Sequence, residues 1–430
     1  MKLSKILIIT IFFLQGLLMG AVLKQVEVNG VSVPVIFEKD SFLPVVSMEL
    51  IFRNSGSIQD GKKYGLARFS AKMFNEGTKK LGATKFATIL DDNAINLSVN
   101  NGNETFVFEL SSLKEKFPLA VKELKELLGD PNLTQDSFDK VKTMTLGKIS
   151  SKENDFDYIA ALNLKEMLFE GTPLGHSSLG TKKSIEGLKL DDVKEFVKKH
   201  IVTSRALVVI GGDLSEKEAL DKIKDILKTL SVGSYEKVGF YEPNSLKRTK
   251  VVKKDTKQAY IYFGSPFKLK VNDKDAYKAK VAAFVLGSSG FGSRLMEEIR
   301  VKRGLAYSAY ARVNLNKSYS DFSGYLQTKT SSKDEAVKAV KEIIAEFVKN
   351  GVTKDELKAA KEFLSGSEPL RVETLSQRLN RAFFEYYRGL KLGYSKEELK
   401  LIESLKLKDL NDFIKKHSEI NDLSFSIVTK

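Results

Sequence analysis

The sequence contains no cysteine, only three histidines, and no apolar run beyond its N-terminal stretch that is long enough to span a bilayer. Without cysteine, disulfides contribute nothing to stability. His176, His200 and His417 are scattered, and with no thiolate to join them they do not make a structural zinc site. No Ser/His/Asp set and no paired-carboxylate constellation can be picked out, which sets aside an independent protease of another mechanism. A block of like charge is missing too. The formal net charge is +15, yet the 70 Lys and Arg are interspersed with 55 Asp and Glu along amphipathic segments. That pattern describes a solvated surface and not a nucleic-acid interface.

What is present is size and repetition. At 430 residues and 42% hydrophobic content, the chain can bury more than one core. Its first residues carry Lys2 and Lys5 ahead of an apolar run from Ile6 to Leu14 and on to Met19, closed by Gly20 and Ala21. This is the layout of a secretory signal, so residues 1–21 are expected to direct export to the periplasm and be removed. The alternative is an uncleaved N-terminal membrane anchor, because Ile6 to Leu23 approaches the roughly 20 residues a spanning helix needs. After signal removal no membrane association is expected.

The segments "IEGLKLDDVKEFVKKH" (185–200) and "IESLKLKDLNDFIKKH" (402–417) lie 217 residues apart and share ten of sixteen positions. Each precedes a β-like run, "ALVVIGGD" and "LSFSIVTK". A period this long means two related domains, since solenoid repeats run about 20–50 residues. In the first half, periodicity predicts strands near 25–37, 44–53, 94–110 and 204–211, with helices near 62–75, 83–91, 113–128, 134–153, 156–169 and 215–229. The second half repeats the style, with strands near 258–265, 304–314 and 319–328 and a closing strand. Its helices fall near 273–287, 293–302, 333–349, 354–369 and 374–388. Strands cluster and helices cluster, so the expected class is α+β: two homologous domains, each a mainly antiparallel sheet packed with helices. The expected boundaries are 22–232 and 251–430. The aperiodic stretch 233–250, with Gly233, Gly239, Pro243 and Asn244, joins them and is long enough to let the halves clasp one another.

Two motifs carry the chemistry. The stretch "GLARFSAKMFNEGT" (65–78) reads as an amphipathic helix with Leu66, Phe69, Met73 and Phe74 on one face and Arg68 and Lys72 on another. It resembles the signature helix of the zinc metallopeptidase family that includes the mitochondrial processing peptidases, pitrilysin and insulinase. There the helix reads approximately G-L-A-H-F-L-E-H-M-L-F-x-G-T, an inverted H-x-x-E-H zinc motif. Gly65, Leu66, Ala67, Phe69, Met73, Gly77 and Thr78 fit it. The two histidines and the glutamate base are replaced by Arg68, Lys72 and Ala71. The family's third ligand is a glutamate in a helix similar to "FDKVKTMTLGKISSKEN", and the matching position is Lys148. A guanidinium offers no lone pair, an ammonium must first lose its proton, and alanine is no base. The resemblance therefore implies a chain that binds no zinc, with zinc expected in a partner subunit.

The second motif, "LGSSGFGSRLMEEIRVKRGLAYSAYA" (286–311), resembles the same family's second-domain signature. Gly287, Gly290 and Gly292 form its glycine-rich loop, and Arg300 and Tyr307 follow in R-x-x-R-G-L-A-Y. In the family this Arg and Tyr reach the scissile peptide and stabilise charge on its carbonyl oxygen, a task suited to a guanidinium and a phenol. The resemblance implies the non-catalytic subunit of a two-chain peptidase, acting in trans with a homologous H-x-x-E-H subunit on peptide substrates. The alternative is a non-enzymatic peptide-binding or scaffold protein on the same fold. Peptide is expected to add to a sheet edge, with "INLSV" (95–99) or its equivalent in the partner as the candidate strand.

Overall fold

The structure, a computed structural model, describes residues 20–430. The expected leader, residues 1–21, lies outside them apart from Gly20 and Ala21.

The first sheet consists of β1 (Val22–Val28), β2 (Val31–Lys39), β3 (Val45–Arg53), β4 (Asn96–Asn101), β5 (Thr105–Leu113) and β6 (Ala206–Gly212), in the order β1-β2-β6-β3-β5-β4. The second consists of β7 (Thr249–Lys253), β8 (Gln258–Pro266), β9 (Ala306–Leu315), β10 (Ser320–Lys329) and β11 (Ser424–Thr429), in the order β7-β11-β8-β10-β9. Without β1 the two orders correspond strand for strand. Each sheet is antiparallel except for one parallel pair, β2 with β6 and β7 with β11. The repeated sixteen-residue segments occupy matching places: the helices Leu190–His200 and Leu407–Lys416 precede β6 and β11. Each begins after an extended break, at Leu188 and Lys189 in one copy and Leu405 and Lys406 in the other. His200 and His417 both pack on the phenylalanine four residues earlier, with ring centroids 4.5 Å apart in each case.

Three local features depart from the periodicity reading. The single strand expected near 25–37 is a hairpin: Asn29 and Gly30 take φ of 52° and 78°, the two-residue turn that Asn-Gly favours because both positions need left-handed backbone. A short strand, β7, begins at Thr249 just within the stretch read as aperiodic, paired along β11. The helices around the second motif contain wide turns at Phe284–Ser288 and Glu297–Lys302. Such turns recur at functional sites because they displace side chains from the regular spiral.

Each sheet buries one face against helices of its own half, giving two separate cores. The other face is covered by a helix from the opposite half. The helix Phe156–Leu168 lies on β8 and β11, with Leu164 and Leu168 against Gly264. The helix Leu375–Tyr387 lies on β2 and β6, where Leu379, Phe383 and Tyr387 pack with Ile36, Ile51, Leu207 and Val209. A glycine receives the incoming helix in both places. A Cβ on Gly211 would meet Leu375 and Leu379 at 3.1 Å, and one on Gly264 would meet Leu168 at 3.1 Å. Fully burying a Leu or Phe contributes about 1.5–3 kcal/mol, so this exchange locks the halves by apolar burial. Polar ties reinforce it. Arg378 donates to Glu38 and Asp40 at 2.5 Å each, and the Ser318 amide donates to the Glu104 carboxylate at 2.8 Å.

Candidate functional site

The helix Leu66–Phe74 starts where Asp60 dictates. Its buried carboxylate accepts from the Gly65 and Ala67 amides at 2.8 Å each, satisfying donors a helix N-terminus leaves unpaired. His176 Nε2 lies 3.2 Å from the same carboxylate, and its ring stacks on Tyr64 with centroids 4.3 Å apart. Lys165, close enough to feel the Asp60 charge, is driven below the usual lysine range by burial. Gly65 has φ +94° and sits against the Gly180 backbone, where a Cβ would fall 2.9 Å from the amide nitrogen. The loop carrying His176 thus fixes the start of the motif helix.

That helix packs on Gln135–Lys152 through Phe69 and Phe138, with ring centroids 5.0 Å apart, and just past its end Glu76 accepts from Lys140 at 2.7 Å. The motif helix and the helix carrying Lys148 are therefore brought together, but no metal donors come with them. Arg68, Lys72 and Lys148 are exposed and Ala71 is buried. Three cations and a methyl group do not fit a divalent ion. Among the described residues no group of three or more His, Cys, Asp or Glu is placed to hold a metal.

The second motif is built for close approach and for presentation. A Cβ on Gly287 would meet the Ala311 amide nitrogen at 2.6 Å, so this turn can rest on β9 only as glycine. Gly290 and Gly292 have φ of +72° and +86°, which lets the loop turn back into the following helix. Arg300 sits in the wide turn Glu297–Lys302, and its guanidinium lies 4.6 Å from the Phe291 ring centre and 4.5 Å from that of Tyr307. Tyr307 is 80% exposed and Phe291 71% exposed.

Strict alternation along β9 would point Tyr307 inward with Ala309 and Ala311. It points out because of a bulge. Thr328 opposes Ala306 and Leu326 opposes Ala309, so β9 carries one residue more than β10 over this stretch. The extra residue reverses the alternation, leaving Ala306, Ala309 and Ala311 in the core and placing Tyr307, Tyr310 and Arg312 on the opposite face. On that face Tyr310, Tyr325 and Tyr262 run across three strands with centroid spacings of 5.9 and 5.4 Å. The Tyr262 hydroxyl then donates to Asp157 at 3.3 Å on the exchanged helix. Burial pushes the Tyr262 hydroxyl well above the ordinary tyrosine range, so it remains a donor.

Comparison with known proteins places this architecture. Residues 35–182 match the insulinase (peptidase family M16) family, and residues 187–364 match the peptidase M16 inactive domain. A Helicobacter pylori protein described as non-peptidase homolog YmxG is 47% identical over 97% of this chain and 98% of its own length. This chain belongs to the M16 peptidase family. A Bacillus subtilis protein, the uncharacterized zinc protease YmxG, is 26% identical over 74% of this M16 chain and 76% of its own. The crystal structure of a peptidase M16 inactive domain from Pseudomonas fluorescens shares its fold, with a TM-score of 0.87, 24% identity and coverage of 95% and 97%. Among the described residues no helix is long and apolar enough to cross a membrane.

In this M16 chain the edge strands differ. At the "INLSV" edge, Asn75 spans Val99: its Oδ1 accepts from the Val99 amide and its Nδ2 donates to the Val99 carbonyl, both at 2.9 Å. A side-chain amide thus occupies the main-chain groups that an added strand would use. At the edge of the second sheet, β9 pairs only with β10 among the described residues. Asn75, Phe291 and the bulge at Tyr307 were not singled out from sequence. Asn75 stands inside the recognised motif where the family has an apolar residue, and that departure was the available signal.

Proposed function

We propose that this chain is the zinc-less subunit of a two-chain M16 metalloendopeptidase, closing a peptide-degrading chamber against a homologous subunit that carries H-x-x-E-H. Its two homologous domains, 22–232 and 251–430, form half of the chamber. Arg300 and Tyr307 reach from it toward the carbonyl oxygen of a peptide bond cut in the partner. The chain is exported, with residues 1–21 as a removed leader, and works in the periplasm. The description of the Helicobacter pylori relative as a non-peptidase homolog supports the absence of cutting by the chain alone.

One observation carries the reading: the zinc donors are gone while the Arg300–Tyr307 pair is held ready. A bulge turns Tyr307 to solvent, and two aromatic rings flank the Arg300 guanidinium. An exposed tyrosine and phenylalanine bury little, and exposed cation–π contacts return only about 0.5–1 kcal/mol each, so the lone folded chain gains little from either arrangement. Both suit hydrogen-bond donors aimed at an oxyanion, worth a few kcal/mol each in a transition state. The capped Val99 edge fits the same division of labour, leaving the partner's matching strand to take up the peptide main chain.

The test is co-expression with the H-x-x-E-H homologue of the same organism, measuring zinc content and peptide hydrolysis for each chain and for the mixture. Activity confined to the mixture and reduced by Arg300→Ala supports the proposal. A mixture indifferent to Arg300→Ala and Tyr307→Phe makes the chain a scaffold instead. Zinc-dependent cutting by this chain alone refutes both.

A further inference from the structure

The C-terminal half of β9, through Arg312, Val313 and Leu315, forms one wall of a cavity of about 730 Å³. The opposite wall comes from the exchanged helix Leu375–Tyr387 and the turn after it, and Ala276–Ala283 closes one end. Five cations line it: Lys280, Arg312, Arg371, Arg381 and Arg388. Three carboxylates line it too, and all are engaged. Glu398 accepts from Lys280 at 2.5 Å, Glu368 pairs with Arg381, and Glu385 accepts from the Gly393 and Ser395 amides at 2.6 and 2.8 Å. Arg312, Arg371 and Arg388 are left with no carboxylate partner among the described residues.

The unpaired guanidiniums differ in setting. Arg312 is exposed on the same face of β9 as Tyr307. Arg371 is half-buried, and among the described residues its side chain donates only to Ser367 Oγ, at 3.2 Å. Arg388 lies over the Phe384 ring at 5.1 Å, and burial pushes its guanidinium below the usual arginine range against the opposing pull of Glu398 and Glu104. Three guanidiniums lining one cavity repel one another, and a carboxylate entering that cavity offsets the cost while accepting from planar donors.

We infer that this cavity is a subsite for an acidic side chain of a peptide lying extended along the free edge of β9. The inference deepens the proposed function and rests on it for the peptide's course. Tyr307 and Arg312 share a face of one strand, and at about 3.3 Å per residue they stand on the order of 15 Å apart. A peptide whose reacting carbonyl meets Arg300 and Tyr307 therefore offers a side chain about four or five positions away to the cavity. The substrate class is peptides with Asp or Glu at that remove from the bond.

The test is equilibrium binding to the lone full chain after leader removal, with no partner present. The probes are a fluorescein-labelled unstructured peptide with a central pair of glutamates and its glutamine counterpart. The glutamate peptide should bind about tenfold more tightly at low salt, a difference that shrinks as salt screens it. Arg312→Gln and Arg371→Gln should each remove most of that difference while thermal unfolding stays as in the parent. Equal binding of the two peptides, absence of binding, or a preference untouched by both substitutions overturns the subsite. Failure of the reconstituted pair to hydrolyse peptide bears on the proposed function and leaves this binding result standing. Hydrolysis indifferent to the glutamates, together with equal binding, removes the subsite and leaves the pairing.

Discussion

The Arg300 guanidinium lies 4.5 Å from the centre of the Tyr307 ring, so the two proposed donors form one unit. Stacking fixes the guanidinium plane and leaves its N–H edges and the phenol free. Tyr307→Phe keeps the stack and deletes one donor. In the reconstituted pair it should lower kcat by about tenfold to hundredfold with little change in KM, because the lost bond acts only on developing charge. Steady-state kinetics check this. A rise in KM at constant kcat would make Tyr307 a substrate-binding residue instead.

Gly287 and Gly290 should respond differently to alanine. At Gly287 the new Cβ would sit 2.6 Å from the Ala311 amide nitrogen and 2.9 Å from Leu295, so β9 must move and carry Tyr307 with it. At Gly290 nothing lies within 4 Å and only φ +72° is strained, a cost of about 1–2 kcal/mol. Gly287→Ala is expected to lose both stability and mixture activity, and Gly290→Ala mainly stability, read by urea unfolding and turnover side by side.

Much of this was legible in sequence, and the rest failed for identifiable reasons. The repeat at 185–200 and 402–417 announced two like halves, and the strand orders correspond. Asn29-Gly30 carried a hairpin signal that an apolar run on both sides masked. The bulge at Tyr307 left no trace, because "AYSAYA" reads the same with or without an extra residue. Nor could the exchange of Phe156–Leu168 and Leu375–Tyr387 be read, since an apolar stripe shows that a helix packs but not on which half. That Arg68, Ala71, Lys72 and Lys148 offer a metal no donor set follows from residue type alone, because metal chemistry depends on residue type before geometry.

The Arg378 clamp across the halves should matter to stability more than a surface ion pair. Glu38 is only 5% exposed and Arg378 27% exposed, so Arg378→Ala strands a nearly buried carboxylate. Orphaning one member of a fully buried pair costs about 3–5 kcal/mol; with the partial exposure of Arg378, about 2 kcal/mol is expected. Arg378→Ala with Glu38→Gln should recover part of the loss, as measured by urea titration of the double-mutant cycle.

Two buried groups pull stability in opposite directions with pH. Burial raises Asp321 to about 6, so the folded state holds its proton more tightly than the unfolded state, and stability falls as pH rises from about 4 to 6. Burial, helped by Arg205 and Lys199, lowers His200 to about 3, so stability falls as pH drops below its ordinary 6.5. Asp321→Asn removes the first slope and leaves the second. Relative to the parent, the variant should gain about 2–3 kcal/mol between pH 4 and pH 6, visible as a steeper rise of stability with pH. Identical pH profiles for the two proteins would show that Asp321 is ionised throughout.

The Asn75 clamp is open to a direct measurement. Val99 opposes Phe108 across β4 and β5, and its N–H and C=O both bond to Asn75, so this is a pair whose main-chain groups face outward from the sheet. The flanking Asn100 faces β5 instead and should not depend on Asn75. Asn75→Ala leaves a buried amide without an acceptor, a cost of about 1–3 kcal/mol. Amide hydrogen exchange at Val99 should accelerate while that at Asn100 changes only by the global loss of stability. Asn75→Asp keeps an acceptor for the Val99 amide and should restore most of its protection. Equal acceleration at both amides in the alanine variant would mean that Asn75 supports the fold as a whole and does not cap one position of the edge.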